Sequence, residues 1–313
     1  MHRNIKVDKQ GDKLLKMPGK LERGSLEFKS RIVGKTGEVM AIATHNVISV
    51  PPTMSIIGAV EEMTTHGFRR LPVTDAGTNR LRGIVTAGDI IDFMGGGSRF
   101  NLVQVKHRGN LISAINESIR EIMTEHLTTL NPGASIAEVV DTIVSKKIGG
   151  LPIIDENEIL VGIVTERDVM RGLAKEKSSF TVEDVMSTSL RVTSPDTPIG
   201  TVTKEMVTHQ FRRLPVVSDD ILFGIITATD IMKFLGMGEI FDRLVTGDVS
   251  DVMSLPVREV INGTLHTTSP DRNINDAARE MLEKNVGALP VIEKSRLIGL
   301  VTEYDLVKSL AVR

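Results

Sequence analysis

Apolar residues fall at two spacings along this chain, and the two alternate. Between Pro132 and Pro152 the side chains of Ile136, Val139, Val140 and Ile143 recur at three- and four-residue intervals, the period of one helix face. Between Pro195 and Pro215, Ile199, Val202 and Met206 do the same. Beyond each second proline the pattern shortens. Leu151-Pro-Ile-Ile and Leu160-Val-Gly-Ile-Val, split by the polar turn Asp155-Glu156-Asn157-Glu158, read as two β-strands. A Thr-x-x-Asp then opens a second helix, as at Asp168-Val169-Met170-Arg171. The pattern predicts a unit of strand, helix, strand, strand, helix.

That unit occurs four times. A Gly-x-x-Thr-x-x-Asp ends its strand region at Gly83–Asp89, Gly162–Asp168, Gly224–Asp230 and Gly299–Asp305. Upstream of each lies Leu-Pro (Pro72, Pro152, Pro215, Pro290), and 20 residues before that another proline (Pro52, Pro132, Pro195, Pro270). Further upstream comes an acidic-Val/Ile-Met signal at Glu38–Met40, Glu121–Met123, Asp184–Met186 and Asp251–Met253. Periodicity of this length marks a repeat architecture whose small units must pack on one another. The repeats are of two kinds. The first and third share "FRRLPV", a T-A-x-D-I helix start and a Gly-rich exit. The second and fourth carry "IGGLP" or "VGALP" and then "VTERD" or "VTEYD". One ancestral pair, duplicated whole, accounts for the odd-even-odd-even order.

Length and composition narrow the possibilities. The chain has 313 residues, enough for two to four small domains, and 41% apolar content, enough for packed cores. The net charge of −2 offers no strong basic field, and with no Trp, one Tyr and nine Phe there are few platforms for stacking bases. Nucleic acid is therefore not an expected partner. A flat ring bound here would lie between Ile, Val and Met. No Cys is present, which excludes disulfides and cysteine-based zinc sites and fits a reducing compartment. No signal-peptide core and no apolar run of membrane-spanning length occur, so a soluble, cytoplasmic protein without a membrane partner is expected.

The four-fold landmarks resemble the cystathionine-β-synthase (CBS) domain family. The resemblance rests on the helix after the first proline, the "xxLPV" loop and the "GhhTxxD" turn, and covers about residues 37 to 313. It implies an α/β (α+β) fold of four β-α-β-β-α CBS domains, paired as two Bateman modules in a flat disc. The order resembles the gamma subunit of AMP-activated protein kinase and its archaeal relatives. The expected boundaries are a lead-in at 1–36, CBS domains at 37–95, 119–175, 176–236 and 248–313, and linkers at 96–118 and 237–247. "GSLEFKSRIVGKTG" reads as an extended lead-in, and "GGGS" at 95–98 as a linker into "RFNLVQVKHRGNLISAIN". No P-loop, HExxH or GxSxG arrangement stands in a suitable context, and the first 36 residues are too few for an ordinary catalytic domain. A non-enzyme is expected, with no catalytic cofactor and no metal site.

The Thr-x-x-Asp turn admits two readings. Thr with an acid three residues later is close to a helix capping box. The same aspartate can accept hydrogen bonds from a ribose diol, beside helix N–H groups that attract phosphate. Capping and binding are compatible, and the choice of Asp four times, where Glu or Gln caps as well, favours binding. The candidate ribose and phosphate clamps are Thr86/Asp89, Thr165/Asp168, Thr227/Asp230 and Thr302/Asp305, with the threonine hydroxyls as donors. In the odd repeats Arg69, Arg70, Arg212 and Arg213 stand before Leu-Pro as candidate phosphate ligands. In the even repeats Gly149-Gly150 and Gly287-Ala288 let backbone approach a base. His66 and His209 read as polar residues near a helix end, or as phosphate contacts.

The resemblance implies that pockets are completed across each pair. Asp168 would then work with Phe68, Arg69 and Arg70, and Asp89 with Ile148, Gly149 and Gly150. Asp305 would join Phe211, Arg212 and Arg213, and Asp230 would join Val286, Gly287 and Ala288. Ser49, Thr129, Val192 and Thr267 would meet the adenine edge, Val192 through backbone alone. Two site classes follow, with Asp168 and Asp305 near arginines and Asp89 and Asp230 less cationic. The implied function is binding of AMP, ADP or ATP (ATP with Mg²⁺) by a regulatory protein that signals to a protein partner, with a homodimer as a further possibility. The alternatives are a CBS scaffold or dimerisation protein with degenerate sites, or a sensor of S-adenosylmethionine.

Overall fold

The structure is a computed structural model. It describes the backbone of residues 6–7 and 13–15, and residues 37–311 apart from 177, 220, 239, 262 and 263. Most of the expected lead-in, including "GSLEFKSRIVGKTG", lies outside the described residues.

Each repeat is built on an antiparallel hairpin: β1 Arg70–Thr74 with β2 Leu81–Thr86, β3 Gly150–Ile154 with β4 Leu160–Thr165, β5 Arg213–Ser218 with β6 Ile221–Thr227, and β7 Ala288–Glu293 with β8 Arg296–Thr302. The predicted amphipathic helices precede them: α1 Ile56–His66, α3 Ile136–Lys146, α5 Ile199–Thr208 and α7 Ile274–Glu283. The apolar positions read from the sequence face inward, since Val139, Val140 and Ile143 are buried. Helices opened by Thr-x-x-Asp follow: α2 Ala87–Ile91, α4 Glu166–Leu173, α6 Ala228–Gly236 and α8 Glu303–Lys308. The predicted first strand is reduced to single parallel bridges, Val50–Val73, Leu130–Ile153, Thr193–Val216 and Thr268–Val291, with a short strand Leu190–Val192 before the third.

The chain forms two compact units. One comprises residues 48–127 and 192–264, and so holds the bodies of the first and third repeats. The other comprises residues 1–47, 128–191 and 265–313, and holds the second and fourth. The first of these has one continuous apolar core, from Val50 to Val260. The second has two clusters, one centred on α7 and β7, the other on α3 and β3.

The acidic-Val/Ile-Met signal opens each repeat in sequence, but it packs on the neighbouring repeat. Thr44 exchanges backbone hydrogen bonds with Ile163 (2.9 and 3.0 Å), and Thr124 with Ile84 (2.9 and 3.0 Å). Ser187 does the same with Leu300 (2.9 Å each way). The exchange explains the glycine of the Gly-h-h-Thr-x-x-Asp turn at Gly83 and Gly299. A Cβ on Gly83 would stand 2.8 Å from the Thr124 carbonyl oxygen and 2.9 Å from Met123 Sδ. One on Gly299 would stand 2.5 Å from Met186 Sδ. At these two positions the glycine therefore admits the exchanged segment rather than a ligand.

The expected linkers are packed structure. Val103, Leu111 and Ala114 are fully buried, and so is Ile240. The Gly-rich exits of the odd repeats are contact points between helices, not flexible joints. A Cβ on Gly96 would lie 2.3 Å from Val207 Cγ2 on α5, and one on Gly236 would lie 2.6 Å from Thr64 Oγ1 on α1. The first and third repeats thus cross at reciprocal glycines. The second and fourth meet through side chains instead. Arg167 reaches Glu303, Asn285 and the Val286 carbonyl, while Tyr304, at the position matching Arg167, donates to the Val144 carbonyl at 3.2 Å.

Candidate functional site

All four Thr-x-x-Asp turns close as capping boxes. In each the threonine N–H and hydroxyl both donate to aspartate Oδ2. The hydroxyl distances are 2.7 Å at Asp89, 2.7 Å at Asp168, 2.6 Å at Asp230 and 2.7 Å at Asp305. The threonine proton is therefore committed, so Thr86, Thr165, Thr227 and Thr302 are left as acceptors towards a ligand, not the donors expected. A further box, Thr181 with Asp184, also uses aspartate and has no Gly-h-h before it. Aspartate in place of glutamate thus does not by itself distinguish binding from capping.

What distinguishes the four corners is the second oxygen, Oδ1. Asp168 Oδ1 pairs with Arg171, three residues on in α4. Lys233 and Lys308 occupy the same position after Asp230 and Asp305, and the charge of Lys233 acts on Asp230. The first repeat has Asp92 there, and Asp89 Oδ1 takes Arg99 Nη2 at 2.9 Å instead. Burial raises the carboxyl pKa of Asp89, opposed by the charge of Arg99, and burial likewise raises that of Asp230, opposed by its Thr227 bonds and then by Lys233 and Arg213. Arg171, Lys233 and Lys308 were missed in the sequence, as was Arg99. The signal for the first three is a basic residue three after the aspartate in three repeats of four.

The hairpins place each pre-Leu-Pro loop beside the corner of its own repeat. Arg70 pairs with Thr86, Gly150 with Thr165, Arg213 with Thr227 and Ala288 with Thr302. The carbonyls of Arg69, Gly149, Arg212 and Gly287 accept from the first helical N–H, at 3.0 to 3.2 Å. This register brings Arg213 to Asp230. Cations thus stand at Asp89 and Asp230 as well, Arg99 at the first and Arg213 with Lys233 at the second.

The remaining candidates are placed as follows. Ser49 Oγ lies 2.8 Å from Thr74 Oγ1. Val192 is buried, whereas Thr129 and Thr267 are exposed or half-buried beside the bridging residues Leu130 and Thr268. Phe68 is half-buried against the core, and Phe211 is exposed. Ile148 and Val286 are half-buried beside their glycines. His66 ends α1 and His209 caps α5. Each lies near a glutamate four residues earlier, 3.5 Å from Glu62 and 3.4 Å from Glu205, and each stacks on the phenylalanine two residues on, with centroids 5.2 and 5.8 Å apart. A groove of about 600 Å³ lies elsewhere, between the first repeat and the start of the second, lined by Pro51, Pro52, Arg82, Arg120 and Met123 among others, and contains none of the predicted site residues. Among the described residues no cluster of three or more His, Asp or Glu could hold a metal ion, and no helix is long and apolar enough to cross a membrane.

The chain is 39% identical over 276 residues to the uncharacterised protein MJ1225 of Methanocaldococcus jannaschii, covering 87% of this chain and 99% of that one. The crystal structure of MJ1225, described as a proposed archaeal homologue of γ-AMPK, superposes with a TM-score of 0.83 over the same shares of both chains. An uncharacterised 33.4 kDa protein of Thermofilum pendens is 27% identical over 83% of this chain and 87% of its own. An uncharacterised conserved protein from Pyrococcus horikoshii shares the fold at a TM-score of 0.55 and 20% identity, covering 87% of this chain and 99% of that one. The sequence model of the CBS domain matches residues 39–96, 119–175, 182–236 and 249–312. The chain therefore belongs to the CBS domain family, with four copies of the domain.

Proposed function

We propose that this chain is a non-catalytic, cytoplasmic regulatory protein that binds adenine nucleotides and signals to a protein partner. The observation that carries the reading is the shared corner chemistry. Four buried or half-buried aspartates hold Oδ2 in a cap, so a ligand hydroxyl would meet Oδ1, in competition with Arg99 at Asp89 and with Arg171 at Asp168. A carboxylate edge accepts both hydroxyls of a ribose diol through charge-assisted bonds. The relation to a proposed archaeal homologue of γ-AMPK supports the same reading. Arg69, Arg70, Arg212 and Arg213 would hold phosphates, and ATP would bring Mg²⁺ with it. Binding becomes regulation only if the nucleotide prefers one conformation of the chain.

Calorimetry with AMP, ADP, ATP and S-adenosylmethionine on the native chain and on Asp168→Ala tests this. Loss of one equivalent of nucleotide in the variant is expected. Heat with S-adenosylmethionine alone would replace nucleotides by another adenosyl ligand, and no heat with any of the four would favour a scaffold. Arg69→Ala and Arg212→Ala are expected to lower the ATP:AMP affinity ratio, because each removes cationic charge that the extra phosphates would use. Hydrolysis of ATP above background would overturn the non-catalytic reading, and pull-down with and without nucleotide would identify the partner.

A further inference from the structure

Asp89 differs from Asp168 in what holds its outer edge. Arg99 comes from the turn Ser98–Phe100, just after the glycines that end the first repeat. Its guanidinium makes three hydrogen bonds and an ion pair. Nη2 donates to Thr124 Oγ1 (3.1 Å), Nη1 to Asp92 Oδ2 (3.0 Å) and Nε to the Ile122 carbonyl (2.6 Å), and Nη2 lies 2.9 Å from Asp89 Oδ1 as an ion pair. Its backbone N–H donates to Asp92 Oδ1 at 2.8 Å. Three of the five N–H donors a guanidinium has make hydrogen bonds that hold it beside Asp89.

The contrast with Asp168 is one of tethering. Arg171 pairs with Asp168 through a side chain that is 58% exposed, so water screens it and it can rotate away. Arg99 is 26% exposed and is anchored at four points by groups that are themselves held in the fold. Asp92, which stands where the other repeats carry a basic residue, supplies the second carboxylate of the clasp. A ribose diol reaching Asp89 Oδ1 would have to displace a planar cation paired with two carboxylates, and would leave Asp92 without that partner.

We propose that Arg99 closes the Asp89 corner, so that this corner does not accept a ribose. The inference rests on the nucleotide-binding reading above and adds which corner is silent and which residue silences it. The corner opens only when Arg99 is removed or drawn away with the segment 96–100 that carries it.

The test is the number of AMP molecules bound per chain, measured by equilibrium dialysis with labelled AMP. The native chain is expected to bind no more than three. Arg99→Gln, which removes the charge and keeps much of the length, is expected to bind one more than the native chain, and Arg99→Gln/Asp89→Asn to return to the native number. Binding by the native chain with no increase in Arg99→Gln would overturn this inference and leave the nucleotide reading intact. No binding by either chain would overturn both. If circular dichroism shows that Arg99→Gln does not fold, crystals of the native chain grown with AMP decide the matter. Arg99 still paired to Asp89, with AMP only at other corners, supports the closure. AMP on Asp89 with Arg99 displaced overturns it.

Discussion

Arg167 Nε donates to Glu303 Oε1 at 2.8 Å, joining residues 136 positions apart. Arg167 precedes one corner aspartate, Asp168, and Glu303 begins the helix that carries another, Asp305. The same guanidinium donates to the Val286 carbonyl at 3.0 Å, in the loop before Leu289-Pro290. The second and fourth repeats are therefore fixed to each other directly beside two candidate sites.

Glu303 is almost fully buried, so removing Arg167 deprives a buried carboxylate of a principal partner. Arg167→Met is expected to cost about 3 kcal/mol in urea unfolding. Arg167→Met/Glu303→Gln is expected to recover part of that loss, because the buried charge is gone as well. A double variant no more stable than the single one would show that the pair itself contributes little.

The glycines of the repeated turn should differ in tolerance. A Cβ on Gly83 meets the Thr124 carbonyl oxygen at 2.8 Å, whereas one on Gly162 meets nothing closer than Ile153 Cδ1 at 3.3 Å. Gly83→Ala is expected to destabilise by about 1 to 3 kcal/mol, and Gly162→Ala by less than about 1 kcal/mol. Thermal unfolding of the two variants side by side checks the order.

Two glycines on the same stretch of chain should respond in opposite directions. Gly96 lies against Val207 and the Thr203 carbonyl of α5, with a Cβ clash at 2.3 Å, so Gly96→Ala is expected to cost about 1 to 3 kcal/mol. Gly88 is helical, and a Cβ there lies 3.4 Å from its nearest neighbour, Thr86 Oγ1. Gly88→Ala is expected to be neutral or to stabilise by up to about 0.5 kcal/mol. Denaturant midpoints would show the contrast.

Asp230 carries a pH dependence whose sign follows from its surroundings. Burial raises its carboxyl pKa, and this outweighs the Thr227 bonds and the charges of Lys233 and Arg213. The folded chain thus holds that proton more tightly than the unfolded chain does. Its stabilising contribution is present at low pH and is lost as pH rises through the raised value. The difference in melting temperature between the native chain and Asp230→Asn is expected to move in favour of the variant between about pH 4 and pH 7. A difference that stays constant across that range would contradict it.

Much of the fold was legible because local patterns carry it. The period of Ile136, Val139, Val140 and Ile143 fixes α3, and the break at Asp155–Glu158 fixes the hairpin of β3 and β4. Each Thr-x-x-Asp reads directly as a helix start, because a capping box involves only residues three apart. The spacing of glycine, proline and aspartate reveals four repeats, since each copy must build the same hairpin and helix. Tertiary structure alone decided what these residues meet. The exchange of Met40, Met123 and Met186 onto neighbouring repeats, the crossing at Gly96 and Gly236, and the grip of Arg99 on Asp89 all join segments outside one another's motifs. A motif records the conformation of its own few residues. Whether Asp89 faces a ligand or an arginine depends on how the chain after its helix packs, and Arg99 is held there by Ile122 and Thr124 of the next repeat.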